Sequence, residues 1–220
     1  MHGWGGSFES TWQRSGFTEL LRDAGREVIG VDLLGHGTAP KPHDPAAYAD
    51  LGARIRESLP AEPVDAVGFS LGAMTLLRMA IDDPSRFRNL VLAGIGNNVL
   101  QSDDSAGERI AAAVEGKAAD SDTPSLVFAQ YAHQPGNDPI ALAAIMRRPR
   151  TPLLASDIAN ATCRTLVVIG DKDFAGPGDP LAEALPNSTL KVLRNLDHFA
   201  TPESFGFIDA ALEFLDAVPA

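Results

Sequence analysis

The chain has 220 residues, with 45% hydrophobic and 21% charged residues and a net charge of −11 from 18 basic against 29 acidic side chains. That composition is globular and excludes wholesale disorder, and the length suits one domain, or one domain with a small insert. The acidic balance disfavours a nucleic-acid backbone or an anionic membrane surface as partner, because both demand clustered Lys and Arg. A single cysteine, Cys163, excludes an intrachain disulfide framework and a multi-cysteine metal site. No apolar run reaches the 18 or so residues needed to span a bilayer, and no secretory signal opens the sequence. A cytoplasmic setting is the expectation.

In chain order, the first residues (Met1, His2, Gly3, Trp4, Gly5, Gly6) read as the end of a strand and a functional loop. A helix is predicted over 11–24, ended by Gly25. Strands are predicted over 27–31, 64–69, 90–95, 165–169 and 190–193. Most of these runs are continuously apolar, as expected for strands buried on both faces of a parallel sheet. Asp44 followed by Pro45 predicts an N-capped helix running toward Leu59. A further helix is predicted over 71–81, closed by Pro84. Thr201, Pro202 and Glu203 predict the start of a last helix carrying Phe205, Ile208, Leu212 and Leu215 on one face. Strands alternating with helices mean an α/β fold with a mostly parallel sheet. Residues 97–156 break the rhythm with Ala-rich helical patterns over 106–119, 124–134 and 139–148. They are predicted to form a helical lid between two core segments, 1–96 and 157–220, because they leave the sheet at a strand's C-terminal end, where α/β sheets hold their ligands.

The most specific motif is Gly68-Phe69-Ser70-Leu71-Gly72, a G-x-S-x-G between an apolar strand and an apolar helix. Two glycines allow a tight strand-to-helix turn that projects the Ser70 hydroxyl, and the following helix N-terminus offers N–H groups to developing negative charge. A serine hydroxyl needs a base, and the base needs an orienting acid. His198, just after the last predicted strand, is the candidate base. Asp171 and Asp173 follow the strand before it, and Asp173, deeper in the loop, is the favoured acid. The backbone N–H groups of Leu71 and Trp4 are the candidate oxyanion donors. Trp4, Phe128, Tyr131, Met146 and Phe199 are candidate substrate-lining residues, chosen by position and apolarity. His2 is expected to hold the oxyanion loop, His36 to be a turn residue, and the basic cluster Arg147, Arg148 and Arg150 to be a solvated helix end. No spacing of ligand-type residues predicts a metal, and no cofactor is expected.

These motifs, with His2 to Gly6 as H-G-x-x-G, Asp32 to Gly37 as D-x-x-G-H-G, Gly170 to Asp173 as G-x-x-D and Asp197 to Phe199 as D-H-F, resemble the α/β-hydrolase superfamily of esterases, lipases and related enzymes. Within it, the closest likeness is to small carboxylesterases of the pimeloyl-ester hydrolase type. The resemblance implies Ser70, Asp173 and His198 as a triad, Trp4 and Leu71 as the oxyanion hole, and hydrolysis of a small-molecule carboxylic ester or thioester. The same triad would serve a carbon–carbon bond hydrolase, a perhydrolase or a lactonase, and a receptor without turnover is the rival outside enzymes. The resemblance also implies a sheet with further strands ahead of H-G-x-x-G. With about five strands present, the chain is expected to lack its N-terminal strands, Met1 standing as the last residue of one of them.

Overall fold

A computed structural model describes residues 1–101, 104–119 and 121–219. Four strands, β1 (Val64–Phe69), β2 (Phe87–Ala93), β3 (Arg164–Gly170) and β4 (Ser188–Leu193), form one sheet in the order β1-β2-β3-β4. Every neighbouring pair is parallel, with Val67 opposite Val91, Leu92 opposite Val167 and Ile169 opposite Val192. Parallel neighbours require crossovers, and the helices that supply them pack on one face of the sheet, while a helix before β1 and a helix after β4 cover the other.

The two-residue period of the strands divides the core into two layers. Leu90 and Leu92 of β2 and Val167 of β3 point into one layer, with Tyr48, Ile55, Leu76 and Leu77. This layer is covered by α2 (Ala53–Ser58) and α3 (Leu71–Asp82). Val91 and Ala93 of β2 and Leu166 and Val168 of β3 point into the other, with Trp12, Phe17, Phe207 and Leu212. That layer is covered by α1 (Phe17–Asp23) and the C-terminal helix. Both faces of β2 and β3 are therefore buried, which is why their sequences read as unbroken apolar runs.

Between β2 and β3 the chain forms α4 (Asp104–Val114), α5 (Thr123–Ala132), α6 (Pro139–Met146) and the short α7 (Ala155–Ile158). Asp122 and Asp138 cap α5 and α6 through their carboxylates, each followed by a first-turn proline. Arg147, read from sequence as part of a solvated helix end, instead ties α6 to α4. Its guanidinium donates to both Glu108 oxygens at 2.8 Å and also to Glu115. These hydrogen bonds hold both glutamates below the usual carboxylate range, Glu115 at about 2. Beyond β3 come α8 (Asp179–Ala184) and α9 (Phe205–Phe214).

Four sequence expectations are corrected. Residues 27–31 form no strand; they have no ladder partner and line a cavity together with the edge strand β1. The sheet consequently has four strands where about five were expected. The predicted 11–24 helix is two pieces, a wide turn at Glu9–Gln13 and α1, split where Gly16 takes a left-handed φ of 78°. The helix predicted from Pro45 toward Leu59 is a 3₁₀ turn, Pro45–Tyr48, followed by α2, because Tyr48 is drawn fully into the core and Gly52 interrupts the run. The last helix starts after a separate 3₁₀ turn at Thr201–Glu203, and its cap is Ser204, whose hydroxyl accepts from the Phe207 amide.

Gly72 faces the N-terminal loop so closely that an added Cβ would lie 2.6 Å from the His2 carbonyl oxygen and 2.7 Å from that of Met1. Both contacts are to backbone, which cannot swing away. Gly72→Ala is expected to cost about 1–3 kcal/mol, the usual price of overpacking, and to lower the urea midpoint; an unchanged midpoint would show that the two segments are not pressed together.

Candidate active site

Ser70 lies between β1 and α3 with φ 51° and ψ −113°, conformations that a non-glycine residue adopts only under constraint. Its N–H donates to Ala93 O at 2.8 Å, and its carbonyl accepts from Met74 N at 2.9 Å, so sheet and helix grip it from both sides. The strain aims the hydroxyl away from the strand. His198 Nε2 lies 3.0 Å from Ser70 Oγ, and His198 Nδ1 lies 2.9 and 3.0 Å from the two Asp173 carboxylate oxygens. An ionised carboxylate only accepts, so Nδ1 carries the proton and donates it to Asp173, leaving Nε2 as the acceptor for the serine hydroxyl. Asp173 is oriented in turn by the Ala175 amide, which donates to its Oδ1 at 2.8 Å. His198 and Asp173 are both buried. Asp171 stays exposed, so the competition between the two carboxylates is decided by reach.

The His2 to Gly6 loop lies directly beside Ser70: a Cβ at Gly3 would sit 3.4 Å from Ser70 Cβ. Two histidines pin it. Leu33 N donates to His2 Nε2 at 3.0 Å, so the proton of the neutral ring is on Nδ1, which donates to Gly3 O at 2.8 Å. Asp32 Oδ1 is 3.7 Å from His2 Nε2, but an unprotonated Nε2 makes no ion pair with it. Asp32 instead accepts from Phe8 N, Thr38 N and Thr38 Oγ1. Burial alone would raise its carboxyl, and these hydrogen bonds outweigh that and hold it low. His36, expected in a turn, is fully buried against His2 with ring centroids 4.9 Å apart. Its Nδ1 meets Leu34 O at 3.1 Å, and its Nε2 has no hydrogen-bond partner among the described residues.

Leu71 opens α3, so its amide is among the first-turn N–H groups without an intrahelical acceptor. The Trp4 indole donates to Leu142 O of α6 at 3.1 Å, which ties the loop to the helical insert. Four predicted lining residues meet in ring contacts. Phe128 stands 5.5 Å from Trp4 and 5.9 Å from Phe199, and Tyr131 stacks on Phe199 at 5.2 Å. Met146 joins none of these. It packs into the larger core layer, with its carbonyl against Gly107 of α4.

Sequence reasoning missed two rings. Phe174, 58% exposed, lies 4.2 Å from the His198 ring and 5.7 Å from Phe128. Phe69 lies 4.8 Å from His198 on another side. Both adjoin residues already singled out, Asp173 and Ser70, and that adjacency was the only signal available. Of the remaining histidines, His133 meets Val114 O of α4 and His43 meets Asp138, so both bond to the helical insert. Among the described residues, no group of three or more His, Cys, Asp or Glu is placed to hold a metal ion, and no helix is long and apolar enough to cross a membrane.

Burial holds His2 at about 4 and His36 at about 3, the second also depressed by its neighbour His2. Both values lie below the ordinary 6.5, so the unfolded chain takes up protons first as pH falls. The stability from neutral burial is fully present above about pH 6.5 and is lost as pH falls toward 4 and then 3. Urea midpoints measured from pH 7.5 to 4.5 are expected to fall steadily below about pH 6.5, and a flat profile would contradict it.

A family model described as the alpha/beta hydrolase fold matches residues 1–124. The chain is 31% identical to pimeloyl-[acyl-carrier protein] methyl ester esterase of Neisseria meningitidis serogroup B, over 90% of this chain and 84% of that protein. It is 37% identical to a Pseudomonas 2-hydroxymuconate semialdehyde hydrolase over 31% of this chain and 26% of that one. Among solved structures, a bromoperoxidase from Bacillus anthracis superposes with a TM-score of 0.74 at 22% identity, covering 98% of this chain and 90% of that chain. A thermophilic esterase from Thermogutta terrifontis superposes at 0.72 with 20% identity, covering 100% and 89%. Parallel sheet, strained strand-to-helix serine and sequence kinship agree: this chain belongs to the α/β-hydrolase family of enzymes.

Proposed function

We propose that this chain is a serine esterase that cleaves a small-molecule carboxylic ester or thioester through an acyl-enzyme intermediate. The observation that carries the reading is the unbroken line of hydrogen bonds from Ser70 Oγ through His198 to Asp173. Ser70 Oγ attacks the ester carbonyl carbon while His198 Nε2 takes its proton. Asp173 holds the imidazole in the tautomer that leaves Nε2 free and stabilises the imidazolium that forms. The tetrahedral oxygen takes its charge beside the Leu71 and Trp4 amides, a pair of donors fixed before the substrate arrives. His198 returns the proton to the departing alcohol or thiol. A water then attacks the acyl-enzyme, giving its proton to His198, and the acid leaves as Ser70 recovers its hydrogen.

The rings of Trp4, Phe128, Tyr131, Phe174 and Phe199 gather next to His198. An apolar lining of this kind favours acyl or aromatic groups over sugars. The methyl ester named for the Neisseria relative makes methyl esters of apolar acids the first substrates to try.

Ser70→Ala is expected to lower kcat for short p-nitrophenyl esters by roughly four to six orders of magnitude with an unchanged unfolding midpoint. Asp173→Asn should cost about four orders of magnitude through the wrong tautomer. A fluorophosphonate should label the wild-type protein once, at Ser70. Full esterase activity in Ser70→Ala would refute the assignment. Labelling at Ser70 without release of product would favour a receptor over an enzyme.

For the lining, a chromogenic ester series of increasing acyl length is the direct measurement. Phe128→Ala is expected to raise KM for long-chain esters by roughly tenfold, the scale of a buried aromatic contact, while leaving acetate esters little changed.

A further inference from the structure

The Trp4 N–H, one of the two oxyanion donors of the proposed mechanism, has no acceptor among the described residues. Its direction is set by the peptide to which it belongs. The Gly3 carbonyl and the Trp4 N–H are the two ends of one trans peptide plane, so whatever holds the Gly3 oxygen aims the Trp4 hydrogen. Two donors hold that oxygen, His2 Nδ1 at 2.8 Å and Gly6 N at 3.2 Å. The second closes a four-residue turn, Gly3 to Gly6, in which Gly5 takes a left-handed φ of 74°. The Gly6 N–H lies in the Gly5–Gly6 peptide plane, and the other end of that plane, the Gly5 carbonyl, is held from outside the loop. Asn137, in the connection between α5 and α6, donates to it from Nδ2 at 2.9 Å. The same nitrogen donates to Tyr131 O in the last turn of α5 at 3.0 Å. Both partners are carbonyls that only accept, so the amide nitrogen with its two hydrogens must face them. The Tyr131 ring lies against the same turn: a Cβ at Gly5 would stand 3.2 Å from its Cδ1.

We propose that Asn137 is a positioning residue for the oxyanion hole: through the Gly5–Gly6 and Gly3–Trp4 peptides it fixes, from the helical insert, the direction of the Trp4 N–H. The proposal rests on the serine-esterase reading. His2 pins the turn at its first carbonyl only, from the side of the core. Asn137 pins the far end, and among the described residues no other side chain donates to the Gly5 carbonyl. Alanine at 137 would offer neither hydrogen bond, and aspartate would set two acceptors against two carbonyls. The substrate oxygen carries full charge only in the tetrahedral transition state. A turn released from Asn137 therefore loses transition-state stabilisation while ground-state binding is little changed, so the loss falls on kcat and spares KM.

Asn137→Ala and the near-isosteric Asn137→Asp are compared with the wild-type chain, with Ser70→Ala as the blank. Arg147→Ala is the control, because it releases α6 from α4 but removes no contact of the turn. For p-nitrophenyl acetate both Asn137 variants are expected to lose about ten- to a hundredfold in kcat, the scale of a misplaced group, with KM within about twofold. The loss should be smaller for p-nitrophenyl thionoacetate, whose sulfur is a weak acceptor and draws little on the oxyanion donors. The Gly6 amide should exchange at least about tenfold faster in both variants, and either variant suffices should the other fail to fold. Arg147→Ala should match wild type in kcat and in Gly6 exchange even where it lowers the unfolding midpoint. Unchanged Gly6 exchange overturns the proposal, as do equal losses for the two esters or an Arg147→Ala chain that behaves like Asn137→Ala in both readouts. A wild-type chain without Ser70-dependent turnover refutes the esterase reading instead, and Gly6 exchange then decides by itself whether Asn137 holds the turn.

Discussion

The proposed chemistry depends on holding Ser70 in a backbone conformation that costs of the order of 1–3 kcal/mol. At φ 51° and ψ −113° the residue turns the chain from β1 into α3 within a single position. The strain is sustained by its neighbours. The amide is held by β2 through Ala93, the carbonyl by the second turn of α3 through Met74, and the preceding residue by Met1. The absence of a side chain at Gly72 lets the His2 carbonyl pack against the first turn of the helix. None of these contacts is strong alone, and together they leave the serine no relaxed alternative.

The rest of the site is assembled by topology. In a parallel sheet all strands end at the same edge, so the loops after β1, β3 and β4 converge although Ser70, Asp173 and His198 are distant in sequence. The loop after β3 bends Asp173 back toward its own amide network, and the loop after β4 brings His198 under it. The insert between β2 and β3 reaches this edge through Phe128 and Tyr131, whose rings meet Phe199. Trp4 links the two halves, with its indole bonded to α6 and its ring against Phe128 of α5. The basic Arg147 clamps two of the insert's own helices together.

Beside the N-terminal loop lies a second polar device of three ionisable side chains, with His2 and His36 buried and Asp32 half-buried. His2 bonds the Gly3 carbonyl and the Leu33 amide, His36 meets the Leu34 carbonyl, and the Asp32 carboxylate accepts from the Phe8 and Thr38 amides; the histidines stay uncharged because burial disfavours the charge. Among the described residues His36 Nε2 has no hydrogen-bond partner. The anchoring of the loop beside Ser70 is thereby linked to acid sensitivity.

That Ser70, His198 and Asp173, rather than Asp171, would be brought together was legible from residues alone, because a G-x-S-x-G needs a strand and a helix around it and a candidate base must follow a later strand. The parallel α/β class was legible too, since strands buried on both faces lose their alternation. Helix continuity was not: Gly16 and Gly52 break patterns that propensity alone would join, and Tyr48 enters the core at the expense of a regular helix. Nor was the fate of residues 27–31. Their composition is that of a strand, but a strand exists only where a neighbour supplies hydrogen bonds, and across the cavity beside β1 they have none. Local sequence determined which residues are candidates for the chemistry and which segments favour extension or helix. Only the tertiary structure decided which of those segments found partners, because hydrogen bonding and burial are properties of pairs.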